Sequence, residues 1–347
     1  MKREILDDLN RWLAAGERIA LATVVWAEGP SPRPPGSCLA VTGSGQMAGS
    51  VSGGCVEGAV FEETQSMLSG GPPKRLRFSA TDEEGWEVGL ACGGTIEVYI
   101  EPLVELHRHL LAALEAEETI ALATRLGGSH LLAWPDGRLE GDRSLSSPLS
   151  QLWERGGGPG GWGEGANLRH CPEGDVFLEV FTPPPTLIII GAVHVAMPLV
   201  VLAQTLGFRV RVVDARRTFA THERFPTADE LIVAWPQNAL KVEELGPQHY
   251  VVILSHDPKF DLPALQIALR SQAAYVGLIG SRTTQARRKA ALREKGFGEA
   301  ELARIHGPVG LDLGGRGPAE IALAILAEIV AVRHGRCGGI LSVQEEM

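Results

Sequence analysis

Leu187-Ile188-Ile189-Ile190-Gly191-Ala192-Val193-His194-Val195-Ala196 decides how the second half of the chain folds. Four consecutive apolar residues read as a strand buried on both faces, and Gly191 turns the chain into a helix that ends near Leu206-Gly207. Val210-Arg211-Val212-Val213-Asp214 follows as a second strand, completing a βαβ unit of the dinucleotide-binding type. Asp214 stands at the tip of that strand, where an acid holds ribose hydroxyls in such folds. The glycine fingerprint is incomplete, because Gly191-x-Val193-x-x-Ala196 lacks the second glycine, the one that admits a pyrophosphate to the backbone. Val193 therefore weakens an NAD(P) reading and leaves the fold reading intact.

Further units extend this pattern outward. Strands are expected over 231–234, 250–254 and 274–279, the last two closing on Ser255-His256-Asp257 and Gly280-Ser281-Arg282. Residues at the carboxyl ends of parallel strands line the crevice of a doubly wound sheet, so both triplets join Gly191, His194 and Asp214 as candidate contacts. His256 and Asp257 could equally cap the helix that follows. The glycine-rich run 310–317 leads into a final helix opened by Pro318-Ala319-Glu320. The expectation is an α/β chain with a Rossmann-like, doubly wound parallel sheet over 183–347. The stiff hinge Thr182-Pro183-Pro184-Pro185 separates it from a mixed α+β domain over 1–182.

The first half holds the most unusual local chemistry, Gly49-Ser50-Val51-Ser52-Gly53-Gly54-Cys55-Val56-Glu57. Its glycines permit positive φ and close backbone approach, and Cys55 falls at a helix start, where the helix dipole favours thiolates and bound anions. Ser52, Gly53, Gly54 and Cys55 are the candidate contacts, with a tight turn around a small buried thiol as the plain alternative. A mirrored element, Cys92-Gly93-Gly94, precedes a strand at 95–100 and invites a shared pocket. The proline-locked loop 28–36 presents one cation, Arg33, on a stiff edge suited to binding or to turning a corner.

Around these lie an amphipathic helix over 4–15, a strand over 18–25, a hairpin over 37–51 and a helix over 56–68. Ile19-Ala20-Leu21-Ala22-Thr23 recurs as Ile120-Ala121-Leu122-Ala123-Thr124. Glycines match in turn: Gly36, Gly45 and Gly49 against Gly128, Gly137 and Gly141. If the echo is a duplication, the first copy carries the function and the second completes the sheet. Residues 144–173, rich in Ser, Gly and Pro, read as a loop.

A 347-residue chain that is 44% hydrophobic and 21% charged has an ordinary globular composition and length for two domains. Its net charge of -10 argues against nucleic acid as a partner. The five cysteines lack CxxC spacing and read as reduced thiols, and 187–208, free of Asp, Glu, Lys and Arg, parses as strand, turn and helix rather than as a membrane span. No export signal is seen at the start, so a cytoplasmic protein is expected. Metal-ligating residues at usable spacing are too few to suggest a metal site.

Taken together the motifs resemble the XdhC/CoxI family, accessory proteins of xanthine dehydrogenase and related molybdenum hydroxylases. The resemblance rests on residues 31–36, Gly49 to Glu57, Cys92-Gly93-Gly94 through Glu101-Pro102, 184–196, Val213-Asp214-x-Arg216, His256-Asp257, 277–282 and 308–328, in order along nearly the whole chain. It implies a protein that binds molybdenum cofactor (molybdopterin) transiently, holds it while a cysteine desulfurase supplies its sulfido ligand, and delivers it to a hydroxylase. It also implies a homodimer, and a chaperone rather than a catalyst. Cys55, with Cys92 as partner, would contact the cofactor or relay sulfur. The competing reading is an NAD(P)-linked oxidoreductase using the second domain; a third is a nucleotide-binding regulatory protein. The chain has neither iron-sulfur cysteine clusters nor the length for a whole molybdenum and flavin enzyme.

Overall fold

The structure, a computed structural model, describes residues 2–31, 33–79, 93–147 and 165–340. Two compact units divide the chain, Met1–Pro183 and Pro184–Met347.

Two five-stranded antiparallel sheets build the first unit. Strands β1 (Ile19–Glu28), β2 (Cys38–Thr42), β3 (Met47–Gly49), β4 (Lys74–Ser79) and β5 (Thr95–Pro102) stand in the order β3-β2-β1-β5-β4. Strands β6 (Ile120–Arg125), β7 (Ser129–Ala133), β8 (Leu139–Gly141), β9 (Gly165–Arg169) and β10 (Val176–Phe181) take the same places, β8-β7-β6-β10-β9. The sequence echo is thus an architectural repeat. It corrects one expectation, because the second copy forms a sheet of its own instead of completing the first.

Alternation along the strands feeds two layers. Ile19 and Leu21 of β1 join Ile120 and Leu122 of β6 in one buried cluster, together with Leu9 and Trp12 of helix α1 (Leu6–Ala14) and Leu110 and Leu114 of a later helix. Ala20, Ala22 and Val24 point the other way, onto Val60 of helix α2 (Glu57–Leu68). The later helix is α3 (Glu105–Glu115), which the reading of motifs passed over. A second correction falls on 144–173: β9 lies inside it, paired along β10 from Gly165 to Arg169. Its Gly-Ala-Asn-Leu-Arg sequence is short and carries only two apolar residues, Ala166 and Leu168, which pack on buried Val25, Tyr99 and Phe177 while the strand pairs along β10 at the sheet edge.

Six parallel strands make the second unit: β11 (Thr186–Ile190), β12 (Arg209–Val213), β13 (Glu230–Ile232), β14 (His249–Ile253), β15 (Tyr275–Leu278) and β16 (Ile305–His306). Their order, β13-β12-β11-β14-β15-β16, is that of a doubly wound nucleotide-binding sheet. Leu187 and Ile189 pack with Leu199 and Ala203 of helix α4 (Ala196–Thr205), whereas Ile188 and Ile190 pack with the opposite layer. Burial on both faces is why β11 reads as an unbroken apolar run. After β13 comes the short helix α5 (Pro236–Ala239), and after β14 helix α6 (Pro258–Arg270), whose Ala264, Leu265 and Ala268 fill that opposite layer. Helices α7 (Arg282–Glu294), α8 (Glu299–Ala303) and α9 (Pro318–Arg333) complete the unit. Among the described residues no helix is long and apolar enough to cross a membrane.

Candidate functional site

Cys55 is exposed at the tip of the loop between β3 and α2, not buried as a small hydrophobe. The loop's shape comes from a residue outside the candidate set, Glu57. One carboxylate oxygen accepts from the Ser50 hydroxyl at 2.6 Å and from the amides of Val51 at 3.2 Å, Ser52 at 2.9 Å and Gly53 at 3.1 Å. The other accepts from the Gly54 amide at 2.8 Å and from the Ser52 hydroxyl. Burial alone would raise the Glu57 pKa, but the hydroxyl and amide donors outweigh it and hold the carboxyl at about 2. The anion cradle expected of this stretch therefore exists, and the chain's own carboxylate fills it.

The amides of Ser52, Gly53 and Gly54 are thus not free for a ligand, which corrects the role expected of them. What they present outward is space: a Cβ at Gly53 or Gly54 would meet nothing within 4 Å. Cys55 consequently sits on a rigid, open backbone. Sequence reasoning missed Glu57: the order shows an acid in the first turn of a helix, but not that its side chain folds back on the amides before it.

The register gathers the other candidates of this unit at the same sheet end. Glu28 and Ser79 both pair with Thr95, Thr23 with Cys38, and Leu39 with Gly49, so the loops after β1, β3 and β4 leave the sheet together. A Cβ on Gly94 would lie 2.8 Å from the Pro30 carbonyl oxygen and 2.9 Å from that of Glu28, so Gly94 rests directly on the proline loop. Gly93 faces open space. Arg33 donates to Glu4 at 2.9 Å, and its Nε is buried without an acceptor. Cys92 lies outside the described residues.

In the second unit the candidates stand at the carboxyl ends of the strands, with different work from that expected. Asp214 is fully buried. It accepts from the Ala192 amide at 2.8 Å, the Arg216 amide at 2.9 Å, Arg216 Nε at 2.9 Å and Arg216 Nη2 at 2.6 Å. Those bonds engage both oxygens of a carboxylate with no exposed surface, so it presents no acceptor to a ribose diol, and the ribose role is corrected. Gly191 is required by packing, since its Cβ would lie 3.1 Å from the Ser255 amide nitrogen. Asp257 caps α6 through the Lys259 amide at 2.9 Å, and Ser281 caps α7 through the Thr284 amide at 3.3 Å. Gly280 adopts φ +124° at that turn, and Arg282 opens the helix. His194 and His256 are exposed.

Comparison with known proteins settles the kinship. A model described as the XdhC and CoxI family matches residues 12–79, and one described as the XdhC Rossmann domain matches 187–329. The chain belongs to the XdhC and CoxI family. Among XdhC and CoxI relatives, a Bacillus subtilis (strain 168) protein named as a probable xanthine dehydrogenase subunit is 30% identical over 94% of this chain and 96% of its own length. An Escherichia coli (strain K12) protein named molybdenum cofactor insertion chaperone PaoD is 26% identical over 95% of this chain and 88% of its own. A crystal structure of a Bacillus halodurans protein described as a xanthine dehydrogenase has a TM-score of 0.76 and 25% identity, covering 98% of this chain and 97% of that one.

This XdhC and CoxI member also buries an ionic group that the motifs did not announce. Glu101 on β5 accepts from His130 on β7 at 2.6 Å and faces His107 Nε2 on α3 at 3.6 Å. Burial would raise the Glu101 pKa, but hydrogen bonds from His107 and His130 outweigh it and hold it at about 2. These three could hold a metal by distance alone. The tautomer opposes it, because His107 Nδ1 accepts the Val104 amide at 3.2 Å, which leaves the proton on the Nε2 that a metal would need. The cluster is better read as an internal brace between β5, α3 and β7.

Proposed function

We propose that this chain binds molybdenum cofactor, protects it during sulfuration and delivers it to xanthine dehydrogenase or a related molybdenum hydroxylase. The observation that carries the reading is the exposed Cys55 thiol on a loop locked by Glu57, at the sheet end shared with the Arg33 loop. The relative named as a molybdenum cofactor insertion chaperone, similar along nearly the whole chain, supports it. When bound, the cofactor supplies a molybdenum centre and its sulfido ligand.

The residues present fit such a group. Cys55 offers a soft donor with open backbone at Gly53 and Gly54, and Arg33 offers a buried Nε without an acceptor for a phosphate oxygen. Glu57 engages the loop amides and so fixes the backbone that carries the exposed thiol. A cysteine desulfurase is the expected sulfur donor, and a homodimer the expected state. Against an NAD(P)-linked oxidoreductase stands Asp214, whose acceptors are already engaged.

Molybdenum and pterin content, measured after anaerobic purification from a cofactor-producing host, tests the proposal beside Cys55→Ala. Cofactor on the parent and none on the folded variant is the expected result. Equal retention by both would sink the assignment of Cys55, and no cofactor on either, with nicotinamide-dependent turnover, would replace the chaperone reading by the oxidoreductase.

A further inference from the structure

Two helices on one face of the parallel sheet carry almost no charge. Helix α4 has none, and α9 has only Glu320, Glu328 and Arg333. Glu328 turns inward, accepting from the Tyr275 hydroxyl at 2.6 Å and the Gly310 amide at 2.7 Å. Glu320 folds back onto the amides of Arg316 and Gly317 at 3.0 and 2.8 Å. Leu199 and Ala203 of α4 share one core cluster with Ala322, Ile325 and Ile329 of α9, so the opposite sides of both helices face outward. Val201 and Leu323 stand on those sides 56% and 53% exposed, and Leu206, just past α4, is 47% exposed. Arg333, the last residue of α9, lies over Phe208 beyond the end of α4, 5.9 Å from the ring centre. The helices therefore run parallel, side by side, and present one apolar surface.

An apolar surface built by two neighbouring helices marks a place where another surface packs. Charge and shape together say which. With a net charge of -10, two copies of the chain repel each other except where charge is missing, and this surface is such a place. It also supplies both knobs and holes: Val201 and Leu323 protrude, whereas the outward row Ala324, Ala327 and Ala331 is small and half-buried. The row on one copy can receive the knobs of the other, which is the self-complementarity that a two-fold contact requires. The ends of α9 match as well. Asp312 and Glu320 lie at its entry with Arg316, and Arg333 and Arg336 lie at its exit. Antiparallel apposition of two copies sets the more acidic end against the basic one and opposes the two helix dipoles.

We propose that α4 and α9 form the contact between two copies of this chain, packed antiparallel across a two-fold axis as a layer of four helices. The inference gives a surface to the homodimer of the proposed function and rests on that reading for the oligomeric state alone. The surface lies in the second unit, and its test reads mass rather than cofactor, so it fails separately from the assignment of Cys55.

Sedimentation equilibrium on the full chain tests it. The parent is expected at twice its 37.1 kDa. Val201→Glu and Leu323→Glu, both at exposed positions of the single chain, should each raise the dissociation constant about tenfold or more, because each places a carboxylate in the apolar contact. The two substitutions together should give a monomer whose circular dichroism matches the parent's. Arg336→Glu should loosen the dimer, and Asp312→Arg added to it should tighten the dimer again, since the contact sets those ends together. A parent that stays monomeric at high micromolar concentration would overturn the proposal and leave the face to a different protein. A dimer equally tight in Val201→Glu and Leu323→Glu would overturn it too, and further loosening by the charge exchange would overturn the antiparallel arrangement.

Discussion

Glu57 makes a fixed surface out of a stretch whose composition promises a loose one. Replacing it by Gln removes the charge that several donors share and leaves amides of Val51 to Gly54 poorly matched. Glu57→Gln is expected to cost about 2 kcal/mol in urea denaturation at pH 7. It should also raise proteolytic nicking within 50–56. The pH dependence has a definite sign. A carboxyl held at about 2 in the folded chain and near 4.5 when unfolded contributes stability above 4.5, and that stability is lost as pH falls toward 2. Glu101, also at about 2, acts in the same direction. Denaturation midpoints measured between pH 6 and pH 3 should therefore fall, and fall less steeply in Glu57→Gln. Parallel slopes in parent and variant would contradict the cradle.

Repetition becomes physical in the two hairpins. Gly49 ends β3 with φ +85°, where a Cβ would lie 2.1 Å from the Cys38 carbonyl oxygen and 3.1 Å from Ile5. Gly141 ends β8 with φ +112°, where a Cβ would lie 2.4 Å from the His130 carbonyl oxygen and 3.1 Å from Leu106. Alanine at either should destabilise by about 2–4 kcal/mol. Gly296→Ala, at φ +87° with open space around it, should cost only about 1 kcal/mol. Thermal melts of the three variants distinguish a shared steric need from ordinary left-handed backbone.

Much of this architecture was legible because periodicity and glycine position are local signals. The run 187–190 announces a strand buried twice over, and Gly45 and Gly49 announce a hairpin. Helix α3 and strand β9 were not legible by motif: α3 carries no chemistry-bearing pattern, and β9 has only Ala166 and Leu168 as apolar residues inside a Ser-, Gly- and Pro-rich stretch. The site was legible as a set of loops and less so as a set of roles. Nothing in the order Gly-Gly-Cys-Val-Glu tells that Glu57 folds back on the amides before it, and nothing in Asp-Ala-Arg-Arg tells that Arg216 closes on Asp214. Such pairings depend on backbone direction at a turn, which sequence spacing does not encode.

At the scale of the whole chain, the two units are built from different kinds of pairing, and each has its own buried clusters. A fragment comprising residues 184–347 is expected to fold with a cooperative transition of its own. Circular dichroism on that fragment checks it, and a gradual, featureless melt would show that the sheet depends on the first unit.

The contrast in pairing also bears on how the chain comes off the ribosome. The strands of the first sheet lie within residues 19–102 and those of the second within 120–181, each closed by one long-range pairing, Ala20 against Pro102 and Ile120 against Phe181. The parallel sheet waits as well: β11 must find β14, Ile190 against Ile253, and β15 must find β16 at Ile305. Its apolar core strand is therefore synthesised well before β14, its partner on one side. During that interval the unbroken apolar run 187–190 is exposed to mispairing on that edge, and the chain's need for chaperones during synthesis should include it.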